Sequence, residues 1–281
     1  MEIEEPEPVI PDFGTAGKVM IGATEGDTER MDTLRIHAPW LAKILPEGWP
    51  IGTSTLITGP GGSGKPLIGN AVVASWLREG GSVVFMSLQY PSADFITESL
   101  RQVAGLELAD YPGRFFILEL DAGMEEMEVV DENRIRGNLV KPQVWEAALE
   151  KAVSSLPAGG PGPLIFGSAL NLLLFSPTYG RAILDKMKET MARTGERSFL
   201  FSVSSSAKRE MIVELEEAAD NLLESHSTRE PFRLFLKVRR MAGVDAHLRE
   251  VAVPISSDTL AEVKAVADHS RKRVIPLVSK L

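Results

Sequence analysis

Residues 53–67 read Thr-Ser-Thr-Leu-Ile-Thr-Gly-Pro-Gly-Gly-Ser-Gly-Lys-Pro-Leu, a short β-rich run followed by a glycine-rich turn and the start of a helix-period segment. The turn matches the phosphate-loop pattern G-x-x-x-x-G-K at Gly59, Gly64 and Lys65. Glycines allow the backbone to curl until successive N–H groups face one anion, and the following helix adds the positive end of its dipole. A simpler alternative is a glycine turn that only leads into a helix. We predict an anion-binding loop formed by Gly59, Pro60, Gly61, Gly62, Ser63, Gly64, Lys65, Pro66 and Leu67.

Outward from this loop, β-rich apolar runs alternate with longer segments of helical period, which is typical of an α/β fold with a mostly parallel, twisted sheet flanked by helices. Strands are predicted at Thr53–Thr58, Ser82–Leu88, Arg114–Leu120, Pro163–Phe166 and Ser198–Val203. Helices are predicted at Lys65–Glu79, Ser92–Ala104, Pro142–Leu156 and Thr178–Arg193. Beyond Asp220, a short antiparallel C-terminal extension is predicted from Asn221–Ser225, Phe232–Val238 and Glu250–Ile255, followed by a last helix over Asp258–Arg273.

Two charged segments are interpreted as solvated. The acidic run Met124–Asp131 is predicted to be a loop, and Arg271–Arg273 is predicted to be the exposed end of the last helix, where cations favour the helix dipole. The apolar stretch Leu170–Phe175 is instead predicted to lie in the core or in a subunit contact.

Composition limits the classes of protein. The 281 residues include no cysteine and four scattered histidines, so thiolate chemistry is excluded and a metal site built only of protein ligands is not expected. The net charge of −9 disfavours a nucleic-acid partner, and no run is apolar enough to span a membrane. The acidic N-terminus is unlike a signal peptide, which predicts a cytoplasmic protein. Residues 1–17 are predicted to be a disordered acidic tail, and residues 18–281 a single domain.

Several stretches in unbroken order resemble the KaiC family of RecA-like P-loop ATPases. They are Leu41–Gly52, Thr53–Lys65, Gly80–Leu88, Phe116–Ala122, Leu164–Ser168 and Phe235–Arg240, and the resemblance covers residues 36–256. The resemblance implies a RecA-like fold and ATP or ADP as the cofactor. It also implies either a homo-oligomer, for which a ring is one form, or a protein partner.

Three positions depart from the family pattern. Pro66 stands where the family has the Thr or Ser that ligates Mg²⁺, and Gln89 stands where it has a catalytic glutamate. Gly167 precedes Ser168 where the Walker B aspartate is expected. A role for Mg²⁺ is therefore doubtful and no catalytic residue is assigned, with Asp121, at the end of a predicted strand, as the fallback carboxylate.

The resemblance also implies a role for two cations. Lys237 and Arg239 repeat the K-x-R spacing that reaches a neighbouring subunit's nucleotide in KaiC-like rings. Alternate positions place both side chains on one face of a strand. An equally acceptable interpretation is that these charges protect an edge strand from aggregation.

The leading hypothesis is a nucleotide-binding regulatory protein with weak or absent hydrolysis. The alternative is an active ATPase, involved in signalling, that uses a non-standard carboxylate. A DNA recombination or repair factor is disfavoured because Ser204–Glu210 lacks a basic, glycine-rich loop. A scaffold with an empty loop is a fourth possibility.

Overall fold

A computed structural model describes residues 31–90, 92–195, 197–230, 232–246 and 250–281. Within these ranges, one mixed sheet contains ten strands. They are β3 (Ser54–Thr58), β4 (Ser82–Ser87), β5 (Phe115–Leu120), β6 (Met127–Asp131), β7 (Arg134–Gly137), β8 (Pro163–Ser168), β9 (Ser198–Ser202), β10 (Asn221–Arg229), β11 (Phe232–Arg240) and β12 (Glu250–Val253). Their order in the sheet is β12-β11-β10-β3-β9-β8-β4-β5-β7-β6. A separate pair is formed by β1 (Thr33–Leu34) and β2 (Trp49–Pro50).

The sheet is parallel from β10 to β7 and antiparallel only at its two ends. β3 lies between β10 and β9, with register pairs such as Leu56↔Leu222 and Leu56↔Phe201. Carboxyl ends of parallel strands meet at one edge, so the loops after β3, β4, β8 and β9 are neighbours. The predicted mostly parallel α/β fold with an antiparallel C-terminal extension is confirmed.

Helices cover both faces of the sheet. They are α1 (Pro39–Ala42), α2 (Lys65–Arg78), α3 (Ala93–Ala104), α4 (Pro142–Ser155), α5 (Gly180–Ala192), α6 (Arg209–Ala218) and α7 (Ser257–Val278). One core contains Ile57 and the apolar side chains of α2 and α3, and the other contains Leu56 and those of α4, α5 and α6. Successive strand residues point to opposite faces, which is why adjacent residues enter different cores.

The long helix α7 joins the two cores. Leu260 and Val263, near its start, are buried in the first core, whereas Val278, at its end, is buried in the second. Burying each such side chain stabilises the packing by about 1.5–3 kcal/mol. The helix also packs against the 3₁₀ helix Leu170–Phe175. α7 is therefore firmly docked over the edge where the strands end.

Two predictions about charged segments are wrong. The acidic run is not a loop, because Met127–Asp131 forms an edge strand that pairs antiparallel with β7. An edge strand needs one ladder partner and can leave the rest of its surface in water, so its composition resembles that of a loop. The last helix does not end at Arg273 but continues to Val278, through Pro276.

Most other boundaries differ from the predictions by one or two residues. Leu170–Phe175 is largely buried, as predicted. The proposed acidic tail, residues 1–17, lies outside the described ranges. No helix in the described ranges is both long and apolar enough to cross a membrane.

A glycine inside α2 gives a stability prediction. A Cβ added at Gly69 would lie 2.3 Å from Cε2 of the Phe166 ring. Alanine is favoured over glycine in a helix by about 1 kcal/mol. The clash should outweigh this gain, and we expect Gly69→Ala to destabilise the protein by about 1–3 kcal/mol in urea unfolding. The exposed Gly123→Ala variant is the control and should change the unfolding free energy by less than about 0.5 kcal/mol. Equal values for the two variants would contradict this packing.

Candidate phosphate-binding site

The predicted loop leaves the carboxyl end of β3 with a sharp turn that only glycine permits. Gly59 has a φ of 147°, and a Cβ there would lie 2.1 Å from the carbonyl oxygen of Ser225. Gly62 and Gly64 also have positive φ values, of 77° and 65°. Glycine is the residue that adopts these conformations without steric penalty. The loop is thus curled as the sequence predicts.

The amides at the end of this loop have no partner among the residues that the structure describes. Within the described part of the chain, the N–H groups of Gly62, Ser63, Gly64 and Lys65 donate to no other group. They lie at the N-terminus of the 14-residue helix α2, where the helix dipole is positive. The Gly61 N–H already donates to Ser206 Oγ at 3.1 Å. Unpaired amides at a helix start favour a negatively charged ligand.

The ammonium group of Lys65 is buried beneath the loop. Lys65 Nζ donates to the carbonyl oxygens of Gly59 at 2.9 Å and Pro60 at 2.6 Å, and to Ser63 Oγ at 3.2 Å. Burial lowers the pKa of Lys65 to about 7. The side chain is therefore near its titration midpoint at neutral pH, and it must exchange these bonds to reach a phosphate oxygen.

The loop lines a cavity of about 80 Å³, called the phosphate cavity below, together with residues from four other segments. Gly61, Gly62, Ser63, Gly64, Lys65 and Pro66 form its floor, whereas Gly59, Pro60 and Leu67 are outside its lining. Leu67 is instead buried in the first core. Of the predicted loop residues, six consecutive ones can therefore contact a ligand directly.

Pro66 is in the first turn of α2 and does not interrupt it. The helix runs from Lys65 to Arg78, and the N–H groups of Leu67 and Ile68 donate to Gly64 O at 3.0 and 3.1 Å. Proline fits the first turn because the N–H it lacks has no partner within the helix. The substitution keeps the fold but supplies no hydroxyl for a metal ion.

Gln89 and Ser168 contact each other directly. Gln89 Nε2 donates to Ser168 Oγ at 3.1 Å, and the backbone pairing of Ser87 with Ser168 brings the ends of β4 and β8 side by side. Ser168 is fully buried. A neutral amide and a neutral hydroxyl thus occupy the positions that the family resemblance assigns to two carboxylates, and they bond to each other.

These residues do not fit Mg²⁺. Hard cations prefer carboxylate and other oxygen ligands. Across the described residues, no group of three or more acidic, histidine or cysteine side chains is placed to hold a metal ion. The carboxylate that lines the phosphate cavity, Asp268, is bonded to Arg271 at 2.8 Å. The doubt about a role for Mg²⁺ stays a prediction.

The fallback carboxylate Asp121 is in a neighbouring cavity of about 290 Å³ that shares Gln89 with the phosphate cavity. Its Oδ1 accepts a hydrogen bond from the Gly123 N–H at 3.0 Å. Asp121 follows β5 at the carboxyl edge, as predicted, but it does not line the cavity that contains Lys65.

Lys237 and Arg239 are both on β11, two residues apart. Arg239 pairs with Glu224 of β10 and lines a third cavity beside Gly59. Neither cation lines the phosphate cavity of its own chain. The predicted role toward a neighbouring subunit's nucleotide remains a prediction.

Sequence reasoning missed the part of the site supplied by α7. Leu260, Val263, Lys264, Asp268 and Arg271 all line the phosphate cavity. They lie at positions i, i+3, i+4, i+8 and i+11, and this spacing places them on one helix face. This spacing is visible in the sequence, but nothing there tells which surface the face covers. Arg271, interpreted above as a solvated helix end, is exposed but borders the cavity.

Comparison with known proteins agrees with this geometry. A family model described as "ATPase: KaiC" matches residues 34–266. Among solved structures, a KaiC-like protein from the hyperthermophilic archaeon Pyrococcus horikoshii is similar, with a TM-score of 0.59 and 15% identity over 79% of this chain and 94% of that chain. No curated protein matches the chain. Since the family model covers most of its length, the chain belongs to the KaiC family of ATPase domains.

Proposed function

We propose that this protein binds ATP or ADP through its phosphate loop as a regulatory ligand, with weak or absent hydrolysis. The observation that carries the proposal is the combination of unpaired loop amides at residues 62–65 with a neutral Gln89–Ser168 contact in place of two carboxylates. The first feature favours phosphate binding. In the second feature, a neutral amide and a neutral hydroxyl replace the groups that would activate water.

The proposed loss of hydrolysis rests on chemistry at three positions. The amide of Gln89 cannot accept a proton at neutral pH, and loss of a general base typically slows a reaction by about 10²–10⁴-fold. The hydroxyl missing at Pro66 and the carboxylate missing at Ser168 would otherwise help to place a cation against the phosphates. Binding without rapid turnover is the function that these residues support best.

An active ATPase is the second candidate. Asp121 favours it, because this carboxylate lies at the carboxyl edge of the sheet in a cavity that shares Gln89 with the phosphate cavity. Asp121 would have to reach the attacking water from there. The two candidates differ in phosphate release and can be separated directly.

Nucleotide binding should raise the melting temperature. At a ligand concentration about 100 times Kd, we expect ATP to raise Tm by roughly 5 °C or more, with or without Mg²⁺. Lys65→Ala should abolish most of the shift, whereas Lys151→Ala, which removes an exposed cation on α4, should retain it. The ligand-free Tm of each variant reports whether it folds. Absence of any shift at millimolar ATP or ADP would leave the empty-scaffold hypothesis.

Steady-state phosphate release separates the two candidates. We expect the wild-type protein to release phosphate from ATP no faster than Lys65→Ala does, because a general base and metal ligands are missing. Release that depends on Lys65 and is lost in Asp121→Asn would establish the active ATPase instead.

The pKa of Lys65 predicts a pH dependence of binding. Because burial lowers this pKa to about 7, the free protein above pH 7 must take up a proton when Lys65 binds an anion as an ammonium group. Affinity for ATP should therefore fall from pH 7.5 to 9, by up to about tenfold per unit. Phosphate ionisation interferes little in this range, since its second pKa is about 6. Calorimetric titration should show a flat profile for Lys65→Arg, whose guanidinium stays charged over this range, and an equally flat wild-type profile would contradict the assignment.

A further inference from the structure

The helix α7 places charged side chains over the phosphate loop. Lys264, Asp268 and Arg271 line the cavity opposite the loop amides. A Cβ added at Gly62 would lie 3.4 Å from Lys264 Cε and 3.7 Å from Lys264 Nζ. One added at Gly61 would lie 3.8 Å from a terminal guanidinium nitrogen of Arg271. Both cations are thus within about 4 Å of where a side chain on the loop would begin.

These cations differ in how they are held. The side chain of Lys264 makes no hydrogen bond or ion pair with any described residue. Arg271 donates to Asp268 at 2.8 Å, and both belong to α7. An unpaired ammonium group beside unpaired amides is a concentration of positive charge without a protein partner. Such a concentration attracts an anion.

We infer that Lys264 and Arg271 are phosphate-binding residues, supplied by α7 of the same chain, which provide countercharge where the loop has lost its metal ligands. The inference rests on the proposed function, since it concerns the same phosphate site. The ligand class is a phosphoryl group held between the loop amides and these two side chains.

Charge balance supports the inference. Lys264 and Arg271 each add one positive charge to the cavity lining and Asp268 removes one. Lys65 contributes only part of a charge at neutral pH in the free protein, because its pKa is about 7. Since Pro66, Gln89 and Ser168 offer no metal-binding group, these fixed cations add to the positive charge of the loop amides in place of a metal ion.

Cavity size supports the same ligand class. Pockets for whole cofactors measure about 300–1,000 Å³. The cavity of about 80 Å³ is smaller than these and has room for only part of a nucleotide. The phosphate could belong to a nucleotide whose base and sugar lie outside, or to free pyrophosphate.

The packing of α7 holds these two side chains permanently at the site. Leu260 and Val263, one turn before and directly beside Lys264, are buried in the first core. Val278 is buried in the second core. Because both ends of the helix are anchored, Lys264 and Arg271 remain over the loop. A mobile cover, by contrast, would compete with the ligand for this space.

The test is calorimetric titration of the full-length chain without Mg²⁺, using ATP, pyrophosphate and adenosine as separate probes. We expect Lys264→Ala and Arg271→Ala each to weaken binding of ATP by roughly tenfold, as for loss of a charge-assisted hydrogen bond. Lys264→Arg should bind nearly as well as the wild type. The control Lys272→Ala removes a neighbouring exposed cation that is outside the cavity lining, and its affinity should not change.

The outcomes are distinguishable. Binding of pyrophosphate as well as ATP, weakened by the same variants, identifies the phosphoryl group as the recognised element; binding of ATP alone, weakened by them, assigns the phosphate to a nucleotide. Either result supports the inference. If the wild type binds ATP and Lys65→Ala does not, while Lys264→Ala and Arg271→Ala bind equally well or more tightly, then α7 only covers the loop and the inference is overturned. If the wild type binds none of the probes, the proposed function fails and the inference fails with it.

Discussion

The site depends on one constraint, the turn that the chain must make where β3 ends. β3 is buried between two parallel neighbours, so its direction is fixed by pairing on both sides. At Gly59 the backbone passes so close to Ser225 that no side chain fits. The following residues then curl back to begin α2, and this leaves a row of amides without partners. The free amides are thus placed by backbone geometry, which Pro66 in the first turn of α2 leaves intact.

Those surrounding changes are coherent when considered together. Proline in the first turn of α2 keeps the helix, and the amide and hydroxyl at the ends of β4 and β8 satisfy each other. A buried carboxylate left without a cation would be expensive, whereas a neutral hydrogen-bonded pair is not. Replacing both carboxylates and the metal-binding hydroxyl therefore costs the fold little. Under the proposed function, protein amides and cations take the place of a metal ion in the electrostatics of the site.

Much of the fold could be predicted from the sequence, because the glycine loop and the alternation of strands and helices are local signals. The β6–β7 hairpin could not be predicted. Glu125, Glu126 and Glu128 give that segment the composition of a solvated loop. Only the pairing of β6 with β7 makes it a strand. At the site, the loop residues and the three substitutions could be identified from the sequence. The contact between Gln89 and Ser168 could not, because it depends on β4 and β8 being neighbours. The position of Lys264 could not be predicted either, because it depends on how α7, about 200 residues away in sequence, docks on the loop.

The order of strands in the sheet has a consequence for how the chain folds. β3 pairs with β9 and β10, whose residues come about 150 positions later in the sequence. Contacts of such large sequence separation slow folding, because a long segment must be closed before they form. During synthesis, which proceeds from the N-terminus, β3 lacks both sheet neighbours until residues 198–229 have left the ribosome. The backbone of β3 is thus without a ladder partner on either side for most of translation.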